Sequence, residues 1–99
     1  MEVLGTGNRH MRVQYCGGWG YRPQVVKAWD RLGENNQHFT WHLLKDQGTT
    51  GNFEVLEFDN AECSGDGTAI FSKQEKKKFP HSDDDTWNEF VASLKIWAM

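Results

Sequence analysis

The alternation of apolar and polar positions predicts most of the elements. Met11, Val13 and Tyr15 alternate with Arg12 and Gln14, the period of a strand with one buried face. Val25, Val26, Trp29 and Leu32 then share one stripe of a helix. Pro23 sits in its first turn, where a missing N–H costs nothing. Gly33 stops this helix, and Glu34 to Gln37 reads as a polar turn. Phe39, Trp41 and Leu43 alternate with Thr40 and His42 as a second strand, and Asp46 to Gly51 is a loop rich in Gly and Thr. Asn52 to Phe58 is a third strand whose apolar set changes parity between Val55 and Leu56, leaving burial on both faces or a bulge. A long connection, Asp59 to Gly67, leads to a fourth strand, Thr68 to Lys73.

Gln74 to His81 reads as a polar loop. Ser82 with Asp85 three residues on resembles a capping box, and Trp87, Phe90, Val91, Leu94 and Trp97 follow at helical spacing. Each such side chain contributes about 1.5–3 kcal/mol when fully buried, so this helix is expected to hold the sheet together. The order is β-α-β-β-β-α. Its first β-α-β unit predicts a parallel pair with a right-handed crossover, and the later short connections predict antiparallel pairing of the third and fourth strands. The expectation is an α/β domain of thioredoxin-like arrangement, a four-stranded mixed sheet with two helices packed on it.

Composition narrows the setting. Ninety-nine residues make one small domain, and five Trp, six Phe and two Tyr supply bulky core material. A net charge of −3 argues against a nucleic-acid binder. Two cysteines, Cys16 and Cys63, are too few for a disulfide scaffold and suit a reducing compartment. No run approaches the roughly 18 uninterrupted apolar residues of a membrane span. Residues 1–10 hold two glycines, few core residues and no apolar stretch of a secretory signal. They are expected to be a disordered extension ahead of a domain at 11–99, and the cytoplasm is the expected location.

The chemistry concentrates in Tyr15-Cys16-Gly17-Gly18-Trp19-Gly20-Tyr21, between a strand and a helix. A helix N-terminus favours thiolate over thiol. The spacing is that of a Cys-x-x-Cys redox turn, yet Trp19 holds the second position, and an indole forms no disulfide.

Val13-Gln14-Tyr15-Cys16-Gly17-Gly18-Trp19-Gly20-Tyr21 resembles the signature of the selenoprotein W (Rdx) family, V-x-Y-C-G-x-U-G-Y, with U as selenocysteine. Thr50-Gly51-Asn52-Phe53-Glu54-Val55 is similar to that family's T-G-x-F-E-V segment, and Phe71-Ser72-Lys73 to its S-K stretch. The resemblance spans about Met11 to Trp97. It implies a small cytoplasmic redox protein of thioredoxin-like fold, an antioxidant or oxidoreductase with glutathione as co-substrate and no bound cofactor. Its implied partners are glutathione and client proteins such as 14-3-3-type adaptors. By position, Cys16 is the motif thiol and Trp19 occupies the selenocysteine site. Gly17, Gly18, Gly20 and Tyr21 complete the turn, and Thr50 and Gly51 fall in the loop facing it. The chain departs from the family at Trp19 and in the long loop around Cys63. Selenocysteine's codon UGA is one base from the tryptophan codon UGG, so Trp19 is expected to stand in for selenocysteine; a paralogue that lost the residue is the competing account.

Simpler roles compete at each position. Cys16 also fits a buried inert thiol at a strand end. Trp19, on a glycine-flanked turn, is expected to be exposed, where it also suits an apolar anchor for a partner in a redox-inactive interaction module. Cys63, beside Glu62 and Asp66, reads as an ordinary loop cysteine. His38 and His42 are expected to share a face, but with His10 and His81 they lack the spacing of a metal set. Asp83-Asp84-Asp85 suits the positive end of a helix, and Lys76-Lys77-Lys78 a solvated loop. Glu54 and Glu57 make no evident acid/base pair. Neither nucleic acid nor membrane is an expected partner, and nothing demands more than a monomer.

Overall fold

A computed structural model describes residues 2–98 of the chain, leaving Met1 and Met99 outside the description. Five strands form one mixed sheet: β1 (Glu2–Leu4), β2 (Arg9–Tyr15), β3 (Phe39–Lys45), β4 (Phe53–Phe58) and β5 (Thr68–Ser72), in the spatial order β1-β3-β2-β4-β5. Helix α1 (Tyr21–Arg31) links β2 to β3, which run parallel as the crossover requires, and the remaining neighbours are antiparallel. A single turn, α2 (Lys73–Lys76), follows β5, and helix α3 (Asp84–Leu94) comes next. This is the expected thioredoxin-like α/β arrangement with one strand added.

The added strand corrects the reading of residues 1–10 as a disordered extension. Glu2–Leu4 pairs with β3, Leu4 packs against the core, and Glu2 is ion-paired with Arg22 of α1. The leader's glycines, which suggested disorder, serve close approach. A Cβ on Gly7 would lie 2.1 Å from the His38 carbonyl carbon. The Gly7 N–H donates to the Phe39 carbonyl at 3.0 Å, and the buried Thr40 hydroxyl donates to the Gly7 carbonyl at 2.6 Å.

One sheet face is the core. Met11, Val13, Tyr15, Phe39, Trp41, Leu43, Phe53 and Val55 bury against Val25 and Ala28 of α1, Leu32 just after it, and Trp87, Phe90 and Leu94 of α3. Val26 and Trp29 of the expected α1 stripe are half-buried, and Ala28 takes an inner place. The parity change in β4 comes from burial on both faces, since β4 pairs with β2 without a shift and the irregularity beside it belongs to β5. Ile70 of β5 is the extra residue at the register shift beside Val55 and Leu56, and Phe58 buries on the opposite face under the Arg12 guanidinium. Trp97 departs from the α3 stripe: Lys95 turns left-handed at φ 52, ending the helix, and Trp97 is 80% exposed on a short 3-10 turn. The α3 cap is Asp83 rather than Ser82, its carboxylate accepting the Thr86 N–H at 2.8 Å. Among the described residues no helix is long and apolar enough to cross a membrane.

Candidate functional site

The turn from Cys16 to Gly20 leaves the end of β2 and enters α1, and the 46–52 loop between β3 and β4 lies against it. Backbone bonds lace the two together. The Cys16 N–H donates to the Asn52 carbonyl at 2.9 Å, Gly17 to Gly48 at 3.0 Å, and Asp46 to Tyr15 at 2.9 Å. Contact is closest at Gly17, where a Cβ would stand 2.1 Å from the Asp46 carbonyl oxygen, so no larger residue fits.

This lacing sets the environment of Cys16. Burial pushes its thiol up, but the backbone N–H groups of Gly51, Gly18 and Thr50 outweigh burial. The net result is a thiol below its ordinary range. The Gly18 N–H lies 3.4 Å from the sulfur. Helix α1 begins at Tyr21, and the donors that hold the thiol low come from the turn and the facing loop. Cys16 itself is only 1% exposed.

Trp19 and Cys16 differ sharply in access. Trp19 is 73% exposed, in a left-handed conformation at φ 56, and a Cβ added at Gly51 would lie 3.8 Å from its indole edge. A cleft lined by Tyr15, Cys16, Trp19, Tyr21, Arg22 and Lys45 opens beside the turn, with cationic side chains in its wall. Gly20, also left-handed at φ 66, precedes α1. Tyr21 is a core residue, its ring edge-on to Phe79 at 4.9 Å and its face under the Lys73 ammonium. Gly18 faces Thr49, whose hydroxyl would lie 2.8 Å from an added Cβ.

Polar residues that the sequence left unassigned support the loop. The Asp46 carboxylate accepts from Gln14 at 2.7 Å, the Thr50 hydroxyl at 2.5 Å and Asn52 at 2.9 Å. Burial pushes Asp46 up, and these three hydrogen bonds bring it below the ordinary carboxylate range. From the other side, Gln74 donates to the Thr50 carbonyl at 3.2 Å and to the Asn52 side chain at 3.0 Å. Glu54 in turn accepts the N–H of Lys73 at 2.8 Å and the Ser72 hydroxyl at 2.5 Å, seating α2 where Gln74 reaches the loop. A polar run with Asp46, Thr50 and Asn52 signals a self-bonded loop, whereas no local signal marks Gln14 or Gln74, which arrive from distant strands and turns.

Other predicted positions lie apart from this site. Cys63 is half-buried in the 59–67 loop, its thiol pushed up by burial and Glu62 and partly restored by Arg12. Glu57 forms a two-pronged pair with Arg9 at 2.6 and 2.7 Å. His42 meets His10, not His38, with ring nitrogens 3.0 Å apart. Among the described residues no three His, Cys, Asp or Glu side chains converge as a metal site. Lys76 pairs with Glu89 and Lys78 with Asp83. No protein-family model matches the chain, and no curated protein matches it.

Proposed function

We propose that the chain is a small cytoplasmic thiol redox protein of selenoprotein W type, linked to glutathione, in which Cys16 carries the chemistry alone. The observation that supports this reading is the Gly18 N–H 3.4 Å from the sulfur, with the facing loop at Thr50 and Gly51 also holding the thiol below its ordinary range. Such donors favour the thiolate, which is the attacking form in disulfide exchange. The Cys16 thiolate attacks one sulfur of oxidised glutathione. A mixed disulfide forms, the glutathione S–S bond breaks, and the second glutathione leaves as thiolate. Trp19 supplies no thiol or selenol to resolve that disulfide, so a second glutathione thiol must do so. Since Cys16 is 1% exposed, exchange follows movement of the turn.

Mass spectrometry after incubation of the Cys63→Ser protein with oxidised glutathione tests the reading. One glutathionyl group per chain, absent when Cys16→Ser is added, supports it; no adduct on a folded protein above the thiol's titration midpoint sinks it. Trp19 as a stand-in for selenocysteine is decided by the gene: a UGG codon without a nearby selenocysteine-insertion element counts against substitution.

One contrast favours a second reading, an interaction module. Trp19 is 73% exposed while the thiol beside it is covered. Exposed tryptophans are frequent anchors of protein interfaces. On that reading a client, such as a 14-3-3-type adaptor, is retained by Cys16→Ser and lost by Trp19→Ala.

A further inference from the structure

The 46–52 loop brings the donors of Thr50 and Gly51 to Cys16, yet it carries two glycines, Gly48 and Gly51, and its residues from Gln47 to Thr50 are exposed. A segment of that composition does not hold its amides in one direction by itself. We propose that Asp46 is the positioning residue of this thiolate cradle, its carboxylate fixing the loop so that the donors stay aimed at the sulfur. The proposal rests on the reading of Cys16 as the reacting thiol.

Three donors from two segments converge on the one carboxylate. Gln14 of β2 donates to Oδ1, while the Thr50 hydroxyl at the loop tip and the Asn52 amide at the entry to β4 donate to Oδ2. The Asp46 N–H is itself tied to Tyr15, next to the thiol, at 2.9 Å. The Thr50 hydroxyl proton is spent on Asp46, so it is the amides of Thr50 and Gly51, on the loop that Asp46 fastens, that face the sulfur. Charged hydrogen bonds of this kind are roughly twice as strong as neutral ones, which suits a fastening role. Asn or Ser at position 46 would present fewer acceptor lone pairs to the same three donors.

Electrostatics gives the inference a decisive sign. A carboxylate near a thiol, acting only through its charge, disfavours the thiolate, and its removal lowers the thiol's titration midpoint. A carboxylate that orients donors does the opposite: its removal releases them and raises the midpoint. Arg22 and Lys45 line the same cleft and stay in place in either case.

The test is the pH profile of Cys16 in a Cys63→Ser background, read by thiolate absorbance and by the rate of alkylation with iodoacetamide. Asp46→Ala is expected to raise the midpoint by about one pH unit, so that the alkylation rate near pH 6 falls about tenfold relative to its high-pH plateau. Asp46→Asn, which keeps one acceptor oxygen, is expected to shift it in the same direction by less. The plateau normalises any change in access caused by a loosened loop. A midpoint that falls or stays put in a variant with native near-ultraviolet circular dichroism overturns the proposal. Should Asp46→Ala not fold, the sign of the Asp46→Asn shift decides. A parent protein whose Cys16 titrates like an unperturbed cysteine overturns the redox reading and this proposal together. A low parent midpoint unmoved by either substitution overturns the positioning role alone.

Discussion

Replacing Gly17 by alanine tests the packing on which the site depends. The new Cβ would stand 2.1 Å from the Asp46 carbonyl oxygen and 2.8 Å from that of Gly48. Both obstacles are backbone, and neither can rotate away as a side-chain end does. Relief to ordinary contact distance needs the facing loop to retreat by about 1 Å or more. That retreat stretches two backbone bonds, Gly17 to Gly48 at 3.0 Å and Asp46 to Tyr15 at 2.9 Å. Each is worth about 0.5–1.5 kcal/mol net, and overpacking of this kind typically costs about 1–3 kcal/mol. For a domain of this size each kcal/mol lowers Tm by about 4–8 °C, so Gly17→Ala is expected to melt roughly 5–20 °C below the parent. Thermal unfolding followed by circular dichroism measures the loss. The same variant moves the Thr50 and Gly51 donors away from Cys16, so its thiol should titrate closer to an ordinary cysteine. Gly65→Ala is the control for general glycine effects, since a Cβ there meets nothing within 4 Å and only its φ of 97° is strained. A Gly17→Ala protein that melts within about 2 °C of the parent, with an unmoved thiol, would refute the tight contact between turn and loop.

Three further outcomes are expected. Phe90 is 1% exposed among Trp41, Phe71 and Trp87, so Phe90→Ala should cost about 3–5 kcal/mol, read as a lower urea midpoint at unchanged slope; a cost under about 1 kcal/mol would mean that α3 does not seal the core. Burial, with the His10 charge, lowers the His42 pKa, and burial, with Lys27 and Arg31, lowers that of His81. The folded state therefore binds these protons less readily than the unfolded chain. Stability is fully present above the ordinary histidine range near pH 6.5 and declines below it, and His42→Gln with His81→Gln should flatten that decline in urea titrations at successive pH values. Trp19→Cys should allow an internal disulfide between positions 16 and 19, detected as loss of two free thiols in a Cys63→Ser background under mild oxidation; persistent free thiols would count against the redox turn.

Legibility differed between fold and site. The strands and helices that carry most of the core were visible because burial of one face imposes a period, two in Met11-Val13-Tyr15 and 3.6 in Trp87-Phe90-Val91-Leu94. Strand β1 was not visible. It has three residues, its Leu4 is half-buried, and its stability comes from β3 and from Arg22, all distant in sequence. Trp97 matched the helical period but falls beyond the left-handed Lys95, and periodicity carries no information on where a backbone leaves the helix.

The sequence by itself determined the α/β class, the parallel pairing of β2 with β3, and the placing of Cys16 and Trp19 on a turn between strand and helix. These follow from local periodicity and from glycine and proline chemistry. Only the tertiary structure decided what surrounds the thiol. Besides Gly18 in its own turn, Cys16 is faced by Thr50 and Gly51, more than thirty residues away in the chain. Gln14 and Gln74 reach that loop from separate elements, and Asp46 within it gathers Gln14, Thr50 and Asn52. Hydrogen bonds of this type depend on distance and direction in space. Sequence spacing sets those only within an element, so the reactivity of Cys16 is a property of how the loop is laid against the turn.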